Sequence, residues 1–197
     1  MNRRYSTITF AALAAVLVSG MVVRAVPAGE PAAEKAAAIE RGAYITRTAG
    51  CHDCHTPLKL GPRGPEPDMS RALTGHPHDM AMPPAPVLPN GPWVWIGAGT
   101  NTAFAGPWGV SFAANLRPDV ETGLGSWTEE MFIATMKTGR HQGKGRPILP
   151  PMPYQNVAQL TDSDIKAVFA YLQSLPPVSN RVPAPIDPPE APGAEGH

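Results

Sequence analysis

The chain has 197 residues with 16 basic and 16 acidic side chains, and the absence of a basic stripe argues against nucleic acid as a partner. Two cysteines allow one disulfide at most, which excludes a disulfide-stapled scaffold. The 25 prolines and 19 glycines exclude long uninterrupted helices or strands over much of the chain, so something besides side chains must help fill the core.

Arg3 and Arg4 precede an uncharged run from Ile8 to Val23, and Val23-Arg24-Ala25 puts a small residue where a signal peptide is cut. This predicts a signal peptide over 1–25 and export to the periplasm. The run is shorter than the roughly 20 residues that span a bilayer. If it stays uncut, residues 8–23 with the Ala/Pro-rich linker 26–36 form a membrane tether instead. Cleavage removes three arginines and no acid, leaving a net charge of about −3.

From Glu34 to Ala49, Ile39, Gly42, Ala43 and Thr46 recur at helical spacing, with Glu40, Arg41 and Arg47 opposite. A glycine inside a helix costs about 1 kcal/mol relative to alanine, so Gly42 marks a close helix crossing or a tolerated surface position. The helix ends at Gly50. There follows "CHDCH", Cys51 to His55. From Pro57 to Pro118 lie 12 prolines and no periodic segment except "WVWIGAG", a short strand at most. Asp119 to Gly123 is expected to be a turn, since a calcium loop would need further ligands.

"SWTEEMFIATMKTGR" predicts a second helix. Ser126 and Glu129 have capping-box spacing, Trp127, Met131, Phe132, Thr135 and Met136 form one stripe, and Gly139 ends it in a left-handed turn. Thr161 and Asp164 repeat the capping signal for a third helix through Ile165, Val168, Phe169 and Leu172 to Leu175, stopped by Pro176-Pro177. The tail 179–197 is Pro-rich and polar, and is expected to be disordered or laid on the surface.

Three chemistries compete for Cys51-x-x-Cys54-His55. A thiol-disulfide oxidoreductase would place Cys51 and Cys54 at a helix start after a strand, but an Ala-rich helix precedes them. A structural zinc site needs four ligands, and the nearest pair, His76-Pro77-His78, has the wrong spacing. Covalent haem attachment asks for two thiols about one helical turn apart to add across the vinyl groups, and an adjacent imidazole for the iron. That matches the motif, and a haem would supply the missing apolar surface.

Met152 in "RPILPPMPYQ" is the candidate sixth ligand, because Pro147, Pro150, Pro151 and Pro153 stiffen its loop. His76, His78 and His141 are its rivals, while Met131 and Met136 belong to a core stripe. Arg140, Lys144 or Arg146, with the indole N–H of Trp108 or Trp127, are candidates to meet the haem propionates, since buried charge needs partners.

The order of helix, Cys-x-x-Cys-His, middle helix, Pro-Met-Pro loop and closing helix resembles class I monohaem cytochrome c over residues 37–178. "NLRPDVETGLGSWTEEMF", "GRPILPPMPY" and "LTDSDIKAVFAYLQSLPPV" are similar to the cytochrome c modules of bacterial membrane-bound dehydrogenases. The resemblance implies an all-α fold of three main helices around one covalently bound haem c. Cys51 and Cys54 then carry the thioethers, His55 is the proximal ligand and Met152 the distal one, and the first and last helices cross near Gly42, Tyr44 and Tyr171. The run from Leu58 to Gly109 departs from the pattern as a Pro/Gly-rich insertion. A haem closed on both faces is a one-electron carrier rather than a stand-alone enzyme, relaying electrons from a periplasmic or membrane dehydrogenase to the respiratory chain. Its redox partners are a dehydrogenase donor and an oxidase or cytochrome acceptor. Whether it is a free shuttle or a fixed haem subunit of one dehydrogenase complex stays open, and a peroxidase-like role would require a labile sixth ligand.

Overall fold

A computed structural model describes residues 30–188 except Val87, Pro89 and Asn90. The expected signal segment and residues 189–197 lie outside the described residues. Helix α1 (Glu30–Thr48) leads into the single turn α2 (Cys51–His55), and the chain later returns through α3 (Glu129–Thr138), α4 (Tyr154–Val157) and α5 (Asp162–Ser174). No helix among the described residues is long and apolar enough to cross a membrane.

Helices α1 and α5 form the main helix pair. A Cβ on Gly42 would overlap the Ala167 carbonyl oxygen and lie 2.8 Å from Tyr171 Cβ, so only glycine permits this approach. The crossing is therefore real, with Tyr171 at it. Tyr44, by contrast, is 51% exposed and faces the Arg41 guanidinium at 5.7 Å rather than the crossing. Around the pair lie Ile45, Leu73, Leu124, Phe132, Met136, Ile165, Val168, Phe169 and Leu172, the core of the molecule. Phe132 and Phe169 join α3 to α5 with ring centroids 5.2 Å apart. Fully burying one such side chain contributes about 1.5–3 kcal/mol.

The caps correct one expectation. Thr161 caps α5 as read, its hydroxyl accepting from Asp164 N–H at 3.2 Å, and Gly139 closes α3 at φ 65°. The cap of α3 is Thr128, not Ser126: its hydroxyl accepts from Met131 N–H at 3.2 Å. The reason is local, because Trp127 N–H is held by the Leu124 carbonyl at 3.1 Å, and the chain turns into the helix only after that tryptophan.

The all-α expectation is also corrected. The proline-rich segment forms an antiparallel hairpin, β1 (Leu58–Gly61) with β2 (Gly64–Pro67), and a three-stranded antiparallel sheet of β3 (Ile96–Gly97), β4 (Ala103–Gly106) and β5 (Gly109–Phe112) in that spatial order. Strands of two to four residues are too short for alternation to show in the sequence. Asp119 does make a turn, its carboxylate accepting from Thr122 N–H at 2.8 Å.

The start of the tail is packed rather than loose. Asn180, 6% exposed, donates to the Thr74 and His76 carbonyls at 2.7 and 2.8 Å and accepts from His78 N–H at 2.9 Å. Ile186 pairs with Val110 at the edge of β5. A single amide side chain here satisfies buried backbone groups that water cannot reach, which composition alone does not reveal.

Candidate haem-binding site

Gly50, at φ 71°, turns the chain from α1 into α2, and the one turn of α2 brings Cys51, Cys54 and His55 together. Both cysteines are half-buried free thiols. Burial pushes the Cys51 thiol up to about 11 and the Cys54 thiol in the same direction. A redox-active Cys-x-x-Cys pair needs the opposite, a thiolate stabilised near neutral pH, and no strand precedes α2 among the described residues. The described residues also hold no cluster of three or more metal-ligating His, Cys, Asp or Glu side chains, so the zinc reading finds no ligand set.

His55 is 8% exposed, and burial lowers its pKa, so the ring is neutral. Its Nδ1 lies 2.8 Å from the Ala114 carbonyl oxygen. A carbonyl only accepts, so Nδ1 carries the proton and Nε2 keeps a lone pair for a metal.

The segment read in the sequence as an insertion wraps this motif. His55 O accepts from Gly75 N–H at 2.8 Å, Asp53 O from the Asn101 amide at 2.8 Å, and the buried Thr56 hydroxyl from Leu73 N–H at 3.0 Å. The hydroxyl also meets His52 Nδ1 at 2.8 Å. Leu73 sits at φ 61°, a left-handed conformation that costs a bulky residue about 1–3 kcal/mol. It is 1% exposed, so core packing holds it there. Sequence reasoning missed Leu73, Thr56 and Ala114; two act through backbone groups and carry no motif.

Met152 is half-buried and packs, as Cys51 and Trp127 do, against the shared core. Its histidine rivals are engaged elsewhere. His76 is buried, with Nδ1 at 3.0 Å from the Thr102 hydroxyl and Nε2 at 3.1 Å from the Met80 carbonyl. His78 Nδ1 lies 3.0 Å from the Asn180 side-chain oxygen, and His141 meets the Trp127 ring edge-on at 5.0 Å.

The residues proposed for propionates separate. Arg140 donates to the Gly145 carbonyl at 3.1 Å and Arg146 to the Pro147 carbonyl at 3.4 Å, and both, like Lys144, are exposed on their own loop. Trp108, at the turn between β4 and β5, has a buried indole N–H with no partner among the described residues. A buried donor left unpaired costs about 1–3 kcal/mol. A haem carboxylate is the kind of acceptor that would offset this cost.

Two thiols on one helical turn beside a buried imidazole with a free Nε2 are the donor set of a haem c-binding domain. The chain belongs to the cytochrome c family, which matches it over residues 39–176. Family membership brings covalently bound haem c, with Cys51 and Cys54 in the attachment motif. The chain is 29% identical over 150 residues to the cytochrome c subunit of the quinone alcohol dehydrogenase of Gluconobacter oxydans, covering 76% of this chain and 24% of that protein. To the fructose dehydrogenase cytochrome subunit of Gluconobacter japonicus it is 27% identical over 160 residues, 81% of this chain and 26% of that protein. To a nicotinate dehydrogenase subunit of Pseudomonas putida it is 37% identical over 78 residues, 40% of this chain and 6% of that protein. The chain thus spans about a quarter or less of the length of these relatives.

Proposed function

We propose that this protein carries single electrons as the haem subunit of a periplasmic dehydrogenase complex, delivering them toward the respiratory chain. The observation that carries the reading is the buried His55 with its Nδ1 proton committed to Ala114 beside two thiols on the same helical turn. Haem c, when bound, supplies a one-electron couple between ferric and ferrous iron.

The chain's residues do the rest. Cys51 and Cys54 fix the group covalently, and His55 presents Nε2 to one face while Ala114 prevents ring rotation. Met152 would supply a thioether to the iron, and a soft sulfur ligand would raise the potential by favouring the ferrous state. Two protein ligands leave no position for substrate. The unpaired Trp108 indole N–H would be a donor available to a haem carboxylate.

The subunit reading is favoured over a free shuttle because the named relatives are dehydrogenase subunits. A pyridine haemochrome spectrum of the full chain matured in a competent host is expected to show one haem c per chain. Replacing Met152 with alanine should open the iron to cyanide, which the parent resists. Isolation from native membranes with the dehydrogenase attached supports the subunit reading, and isolation alone supports a shuttle.

A further inference from the structure

Strand β5 and its continuation touch both the His55 side chain and the loop that carries Met152. At its C-terminal continuation, Ala114 accepts from the His55 imidazole. Three residues earlier Ser111, 7% exposed, donates its hydroxyl to the Pro150 carbonyl at 2.5 Å; the Phe104 carbonyl lies farther off, at 3.4 Å. A hydroxyl has one proton, and the shorter contact takes it.

Pro150 lies two residues before Met152, in a loop poor in means to secure itself. Pro150, Pro151 and Pro153 lack an N–H. The N–H groups of Leu149 and Met152 donate to no backbone carbonyl among the described residues. Ile148 N–H donates to the Gly139 carbonyl at 2.8 Å ahead of this stretch, and the Ser111 hydroxyl supplies a hydrogen bond to Pro150 itself. The strand bearing it is itself braced: Val110 N–H donates to Ile186 O at 2.8 Å, and Ile186 N–H returns to Val110 O at 2.9 Å.

We propose that Ser111 is a positioning residue for the Met152 thioether: its hydroxyl pins the loop at Pro150, so that one strand spaces the imidazole and thioether sides of the haem. The proposal rests on Met152 being the sixth ligand. Dissociation of the thioether requires the loop to swing away, and the hydroxyl opposes that motion. Losing the bond raises the open population by the net worth of one part-buried hydrogen bond.

The test is imidazole binding to the ferric holoprotein, followed together with the near-infrared sulfur-to-iron charge-transfer band. Ser111→Ala should bind imidazole about three- to tenfold more tightly than the parent, the equivalent of one hydrogen bond, and lose the band at a lower temperature. Ser111→Cys, a near-isosteric but weak donor, should shift in the same direction and serves if the alanine variant does not mature. Ser111→Thr should restore parental affinity. Val110→Ala, on the same strand but away from the loop, should leave imidazole affinity unchanged even if it lowers the melting temperature.

Parental affinity in both Ser111→Ala and Ser111→Cys, or an equal shift in Val110→Ala, overturns the proposal. Met152→Ala separates the two levels. If it abolishes the band and admits imidazole while the Ser111 variants behave as parent, only the positioning role fails; if it leaves band and affinity unchanged, the sixth-ligand reading fails first.

Discussion

Helices α1 and α5 meet through shape, with Gly42 against Ala167 and with Ile45, Ile165 and Leu172 nearly inaccessible to solvent. The segment between Pro57 and Pro118 buries Leu73, Ala103 and Phe104 but also a run of polar residues: Thr74, His76, Thr102, Ser111 and Asn115. The helical frame is stabilised by apolar area, roughly in proportion to what it removes from water. The proline-rich segment also depends on pairing its buried polar groups, among which the Trp108 indole N–H alone is left without a partner among the described residues, and each unpaired group costs more than its bond contributes. The two regions should therefore answer differently to volume changes and to the loss of a single polar atom.

The largest effect is expected from the two haem-attachment cysteines. Cys51→Ala with Cys54→Ala should abolish covalent haem, seen as loss of the haem mass increment and of colour retained through acidified acetone. Haem attachment is expected to be coupled to folding, so amide exchange should accelerate in the frame and the segment together; acceleration in only one would show that they fold as separate units.

Gly42→Val tests the frame. Neither the Ala167 carbonyl nor the helix axes can yield cheaply, so denaturant unfolding of the holoprotein should show a loss of about 3 kcal/mol or somewhat more. The polar counterpart is Asn180→Ala, which strands the Thr74 and His76 carbonyls and the His78 N–H. A loss of about 1–3 kcal/mol is expected, with amide exchange rising locally around residues 73–80. An equal loss spread over α1 and α5 would erase the distinction between the regions.

The smallest effect is electrostatic. Arg41 Nε donates to the Asp164 carboxylate at 2.9 Å, and this bond holds the Asp164 pKa below the ordinary carboxylate value. A depressed folded-state pKa contributes stability above the unfolded value, and the contribution is lost as pH falls through the folded one. Arg41→Ala should thus lower the melting temperature slightly at neutral pH, and the difference from the parent should begin to shrink below about pH 4, where unfolded carboxylates protonate, and vanish only once the pH falls below the depressed pKa of folded Asp164.

The residues of α3 and α5 are legible as helices because Phe132, Met136, Ile165, Val168 and Leu172 recur at 3.6-residue spacing and Thr161 and Gly139 are chemically suited to helix ends. Ser126 misleads as a cap because spacing alone cannot register that Trp127 is held in the preceding turn. The strands of the proline-rich segment escape because pairs as short as Ile96–Gly97 leave no periodic trace. Likewise the roles of Ala114 and Pro150 rest on carbonyl oxygens, which every residue type carries.

Sequence alone was sufficient for the cofactor, since thioether chemistry and imidazole ligation demand particular side chains at neighbouring positions of one helical turn. It was sufficient as well for the helical frame, whose apolar spacing is written locally. Tertiary structure decided how His55 is oriented, what holds the Met152 loop, why Asn180 is buried and which tryptophan has an indole donor to spare. Those outcomes depend on backbone groups brought together from residues dozens of positions apart, and a backbone carbonyl has no identity in the sequence until the chain has folded around it.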